Sequence, residues 1–182
     1  TYIEETLKNL KEKSDLYIKV ILTSEGDTYF PSMSEKSNLL VIVKPFKPIK
    51  DKEVNLIISP FKVHSSDPLL KIKSTNFTRN ILAKRYAIEK GAYDAIFRNE
   101  NDEITETSSA NIFWIKGKYL YTPSLDCGLL NGIMRQFVIK KAKEEGFIVV
   151  EGRFSIKDLK EADRIFITNS LNGIIKVSSI IS

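Results

Sequence analysis

DAIFRNENDEITETSSANIFWIKGKYLYT, residues 94 to 122, reads as short strands joined by tight turns. DAIFRN and ANIFWIK are rich in β-branched and aromatic residues, and NEND and Gly117-Lys118 between the runs are turn signals. With EIT in the middle and YLYT at the end, the spacing predicts an antiparallel meander. Upstream, LYIKVILT (16 to 23), NLLVIVKPF (38 to 46) and VNLIISPF (54 to 61) have the same character. Strands outnumber helices and do not alternate strictly with them, so the expected class is α+β, an antiparallel-rich sheet with flanking helices.

The helices read from apolar spacing. Ile3, Leu7 and Leu10 predict one that ends near Asp15. A loop over 62 to 73 leads to a second from about Ser74 to Gly91, with Ile81, Leu82, Tyr86 and Ile88 on or near its apolar side. In LLNGIMRQF (129 to 137), Asn131 is a natural N-cap, and Ile133, Met134, Phe137 and Val138 define an apolar face that runs to Gly146. FIVVEGRF, a short helix KDLKEA opened by Ser155, and the strands RIFITN and GIIKVSSI complete the chain. A sequence that opens directly in a helix and stops at SSIIS reads as lacking an N-terminal portion.

Composition narrows the chemistry. With 182 residues, 42% hydrophobic and 28% charged, the chain can fill one domain or the larger part of two. No run nears the roughly 18 apolar residues of a membrane span, and no signal core opens the chain, so a cytoplasmic protein is expected. The single cysteine, Cys127, excludes an internal disulfide framework, and the single histidine, His64, argues against metal hydrolysis and Ser-His-Asp chemistry. A net charge of +5 suits an anionic ligand, while lysines interleaved with glutamates in KNLKEKSD, KAKEEG and KDLKEAD read as solvated helix faces, not a nucleic-acid stripe.

Four places hold side chains that could do chemistry, each ordinary when alone. In DPLLKIKSTNF, Lys71 and Lys73 share a face if extended, and a lysine before a helix start can serve as an amine nucleophile. In ITETSSANIFW, Glu106 precedes small polar residues and can hold a protonated ring nitrogen. The helix start at Asn131 and Gly132 offers free N–H groups and a positive dipole end to an anion. Thr168, Asn169 and Ser170 leave a strand as a donor-rich turn. Together they supply the parts that pyridoxal phosphate requires: an amine, a carboxylate for the ring nitrogen and donors for the phosphate.

From Tyr17 to Val177 the sequence resembles the fold-type IV pyridoxal phosphate enzymes, which include branched-chain and D-amino acid aminotransferases and 4-amino-4-deoxychorismate lyase. Within that group the run ANIFWIKGKYLYTPSLDCGLLNGIMRQF is most similar to the lyase, with NGIMRQF where aminotransferases usually read PGITR; ADRIFITNSLNGI is lyase-like as well. The resemblance implies that Lys73, not Lys71, holds the cofactor covalently, and that Glu106 faces its ring nitrogen. It implies phosphate contacts from Gly132, Ile133, Met134, Asn169 and Ser170, with Met134 contributing only its backbone N–H. It also implies a remnant of the small N-terminal domain with linking strands over 1 to 65, a cofactor-binding domain over 66 to 182, and a homodimer. Thr23, Ser24, Glu25 and Gly26 stand where the family usually has Ser-Arg-Gly or Thr-Arg-Gly, so that arginine is lost. The activity implied is a lyase taking 4-amino-4-deoxychorismate to 4-aminobenzoate and pyruvate in folate synthesis. The alternatives are a branched-chain or D-amino acid aminotransferase, or a relative that keeps the fold without turnover.

Overall fold

The computed structural model describes residues 2 to 8, 15 to 24, 36 to 49 and 53 to 181. They fall in two compact units that divide between Pro48 and Ile49. The first holds α1 (Tyr2–Lys8) and two antiparallel strands, β1 (Leu16–Ser24) and β2 (Ser37–Pro45), in register from Leu16 opposite Pro45 to Ser24 opposite Ser37. The rest of the helix expected up to Asp15, and Glu25 and Gly26, lie outside the described residues.

The second unit is one eight-stranded mixed sheet with three helices. In chain order it runs β3 (Glu53–Lys62), α2 (Thr78–Glu89), β4 (Asp94–Arg98), β5 (Ile104–Thr107), β6 (Asn111–Lys116) and β7 (Tyr119–Pro123). It continues with α3 (Ile133–Glu144), β8 (Ile148–Gly152), α4 (Ile156–Lys160), β9 (Arg164–Asn169) and β10 (Gly173–Ile181). The spatial order is β5-β4-β3-β10-β9-β6-β7-β8. β3 lies between parallel neighbours, β4 and β10, which is why it belongs to this unit.

The expected meander forms as two separate hairpins, β4–β5 and β6–β7. β5 and β6 are not ladder partners; they are first and sixth in the sheet. A flat sheet would set them about 24 Å apart, at roughly 4.8 Å per strand. The chain from Thr107 to Asn111 can reach only about 13 Å. The sheet therefore curls into a half-barrel, and Thr107 N–H donates to the Ala110 carbonyl at 2.8 Å where the turn bridges its two ends.

Leu56, Ile96, Ile104, Ile112, Trp114, Ile167 and Ile175 fill the principal core. Each such side chain contributes about 1.5 to 3 kcal/mol by leaving water. A second cluster joins Ile57, Ala95 and Phe97 of the sheet to Ala83 and Ala87 of α2. This corrects most of the helix face read from the sequence: Tyr86 packs against the cluster, but Ile81, Leu82 and Ile88 are exposed, and the small Ala83 and Ala87 bring α2 down onto β3 and β4. In α3 likewise, Ile133 is 77% exposed and Phe137 is exposed, while Val138, Ala142 and the guanidinium of Arg135 are buried. One terminal nitrogen of Arg135 donates there to Glu151 at 2.7 Å and to the Pro123 carbonyl at 3.0 Å.

Candidate functional site

The segment that delivers Lys73 is pinned along its length. Ser65 donates to the Glu100 carboxylate from its hydroxyl at 2.5 Å and its N–H at 2.8 Å, and these bonds hold Glu100 down to about 2. Asp67 accepts from Leu69 N–H at 2.9 Å and from Arg79 at 3.5 Å. Gly128, at φ +90, lets the segment pass close by; a Cβ there would meet the Ser65 Cα at 2.8 Å. Pro68–Lys71 forms a 3-10 turn, so Lys71 does not share an extended run with Lys73 as expected. Lys73 follows, exposed, with Nζ 5.3 Å from the centre of the Phe77 ring and its charge bearing on Glu106.

Glu106 is the third residue of β5 and is half-buried. Its Oε2 accepts from Leu130 N–H at 3.4 Å and from the Asn111 amide at 3.2 Å, and that same amide donates to the Leu130 carbonyl at 2.8 Å. Burial pushes the carboxyl up to about 8, opposed by the Leu130 N–H and by the charges of Lys73 and Arg79; Asp94 pushes it further up.

The helix start next to it differs from the expected one. Gly132, not Asn131, is the N-cap residue of α3, with φ −64 and ψ 148, and no side chain caps it. The Asn131 carboxamide oxygen is instead taken by Arg135 at 3.4 Å. The first-turn N–H groups of Ile133 and Met134 are thereby left to an outside acceptor at the positive end of the dipole. Gly132 is needed because a Cβ would stand 2.4 Å from Asn111 Oδ1. Gly132→Ala is expected to displace Asn111 from Glu106 and Leu130 and to cost about 1 to 3 kcal/mol, read as a lowered melting temperature of the ligand-free chain.

Across the ladder from Asn111 stands Thr168, fully buried, whose hydroxyl has no hydrogen-bond partner. A buried hydroxyl without a partner in the fold is a place that a ligand or an ordered water can complete. Asn169 accepts from Leu171 and Asn172 N–H at 3.1 and 2.9 Å and donates to the Ser109 carbonyl at 3.4 Å, and Ser170 follows, exposed, in the turn.

Direct bonds or ladder pairing thus bring together Glu106, Asn111, Gly132, Thr168 and Asn169. Ile133, Met134 and Ser170 follow by one or two residues, and Lys73 reaches Glu106 electrostatically. Asp94 and Arg79 belong to no motif, although a carboxylate opening the apolar run DAIF is a signal in itself. An amine, a carboxyl that burial holds above its ordinary range, uncapped helix N–H groups and an unpartnered hydroxyl fit a ligand with a carbonyl, a basic ring and a phosphate.

The curled mixed sheet is the architecture of the fold-type IV enzymes. Residues 1–180 match the family model for amino-transferase class IV, and the chain belongs to that family. It is similar to the aminodeoxychorismate lyase of Bacillus subtilis (strain 168), 32% identical over 148 residues, covering 80% of this chain and 50% of that protein. The D-alanine aminotransferase of Listeria monocytogenes serotype 4b is 41% identical over 109 residues, 60% of this chain and 37% of that one. Among solved structures, an aminotransferase from Brucella abortus bound to the cofactor PLP superimposes with a TM-score of 0.87 at 26% identity, over 98% of this chain and 65% of that one. The chain therefore spans about half the length, or less, of these two curated relatives.

Proposed function

We propose that this chain carries the cofactor site of a pyridoxal phosphate-dependent lyase that converts 4-amino-4-deoxychorismate to 4-aminobenzoate and pyruvate, acting as a cytoplasmic homodimer. The observation that carries the cofactor is Glu106, raised by burial, in reach of the Lys73 charge and bonded to the segment that leads into an uncapped helix start. When bound, pyridoxal phosphate supplies a protonated ring that withdraws electrons from the substrate's amine carbon. Lys73 Nζ would hold the cofactor and would carry the proton at the substrate's amine carbon. Glu106 Oε2 would face the ring nitrogen and favour its protonated form. The N–H groups of Ile133 and Met134, with Asn169 and Ser170, would hold the phosphate, with room left by the bare Cα of Gly132.

The lyase assignment is supported by NGIMRQF at residues 131 to 137 and by the likeness to the Bacillus subtilis lyase over most of the chain. A second reading, an aminotransferase for branched-chain or D-amino acids, is favoured by the higher identity to the Listeria aminotransferase over a shorter stretch. Both use the same lysine and carboxyl. The assay that separates them supplies 4-amino-4-deoxychorismate in one arm and an amino acid with a keto-acid acceptor in the other. Pyruvate and 4-aminobenzoate in the first arm, with no amino transfer in the second, is the expected result; the reverse assigns a transaminase, and neither leaves a fold without turnover.

A further inference from the structure

Asp94 opens β4 and is completely buried, followed in the strand by Ala95, Ile96 and Phe97 before Arg98. Its carboxylate collects four donors. Oδ1 accepts from Ala95 N–H at 2.8 Å and from the Ser108 hydroxyl; Oδ2 accepts from the Thr107 hydroxyl at 2.9 Å and the Ser109 hydroxyl at 2.7 Å. Three consecutive hydroxyls of one turn therefore converge on a single acid. A buried carboxylate is costly unless its lone pairs are filled, so an apolar residue would serve this strand better if packing were its only task.

What the turn holds is the site. Glu106 precedes it and Asn111 follows it. Its Ser108 carbonyl accepts from Asn80 of α2 at 2.9 Å, and its Ser109 carbonyl accepts from Asn169 at the exit of β9. Ser108 N–H donates to the Ala95 carbonyl at 3.0 Å, which ties the turn to β4 a second time. The ring-nitrogen carboxyl, its amide partner, the helix that follows the lysine and the phosphate turn thus all register on residues 107 to 110.

We propose that Asp94 is a positioning residue of the cofactor site: by gathering the hydroxyls of Thr107, Ser108 and Ser109 it sets Glu106 and Asn169 in one frame before any ligand arrives. This rests on the reading of the site given above. Asp94→Ala frees the turn, whereas Asp94→Asn keeps an acceptor for Ala95 N–H and Ser108, so the two form a graded pair.

The test is titration of the purified chain with pyridoxal phosphate, followed by visible absorption, beside backbone hydrogen exchange of the ligand-free chain. Affinity is expected to fall about tenfold or more in Asp94→Ala, and less in Asp94→Asn, the scale on which removal of supporting hydrogen bonds weakens a bound group. Exchange over residues 107 to 111 should quicken in the same order while β9 and β10 stay protected. If Asp94→Ala does not fold, Ser109→Ala, which removes one exposed hydroxyl, decides in its place and should weaken binding about threefold. Variants that bind like the wild type with unchanged exchange overturn the proposal alone; a wild-type chain that takes up no pyridoxal phosphate overturns it together with the reading of the site.

Discussion

Lys73→Ala is expected to leave the chain folded, colourless in the presence of pyridoxal phosphate and inactive. The structural cost is small, because Lys73 is exposed and its one ring contact, Phe77 at 5.3 Å, is of a kind worth about 0.5 to 1 kcal/mol. The chemical cost is large. The amine that attaches the cofactor and moves the substrate's proton disappears together, so turnover should fall on the order of a thousandfold or more. Lys71→Ala is the control, since Lys71 sits in the 3-10 turn ahead of the site. The measurement is borohydride reduction followed by mass mapping of the labelled peptide. A Lys73→Ala chain that still traps the cofactor, or a Lys71→Ala chain that does not, moves the amine to Lys71.

Glu106→Gln should separate function from stability. The wild-type carboxyl has a folded value of about 8 against an ordinary 4.5, so the native state holds this proton more tightly than the unfolded chain does. The sign follows from linkage: the stability linked to that proton is fully present below pH 4.5 and is lost as the pH rises toward 8, because the unfolded carboxyl ionises first. Discounted for the side chain's partial exposure, the loss is on the order of 2 to 3 kcal/mol. Gln keeps an acceptor for Leu130 N–H and Asn111 but does not titrate. The ligand-free variant should therefore be more stable than the wild type at pH 8 and equal to it near pH 5. Loaded with pyridoxal phosphate it should be the poorer protein, with an unprotonated ring and slowed turnover. Thermal melts across pH 5 to 9 read the first effect, and parallel profiles for the two proteins would refute the placement of Glu106 in a desolvated site.

Stability and catalysis meet at one side chain here for a physical reason. On the proposed reading, the burial that would strengthen the action of Glu106 on a ring nitrogen is a cost that the ligand-free protein bears. The neighbouring Leu130 N–H, Asn111 amide, Lys73 and Arg79 offset part of it.

The α+β class, nearly all the strands, the helices after the lysine segment and before Gly146, and the family itself were legible in the sequence. These rest on local signals: β-branched runs, turn residues, apolar spacing and motif spelling. Helix faces were not, because spacing finds a stripe without saying what packs on it. In α2 the sheet accepts Ala83 and Ala87 and rejects the larger Ile81, Leu82 and Ile88. The N-cap was misplaced by one residue because Arg135, from inside the core, claims the Asn131 side chain.

By itself the sequence determined which residues are chemically able to serve: one amine before a helix, one carboxyl after a strand, one glycine at a helix start and a polar strand exit. Only the tertiary structure decided which of them share neighbours. The connection from Thr107 to Asn111 forces the sheet to curl, and that long-range closure sets Asn111 beside Glu106, opposite Thr168 and against Gly132. Ladder partners such as Asn111 and Thr168 are far apart along the chain, and no local propensity encodes that pairing.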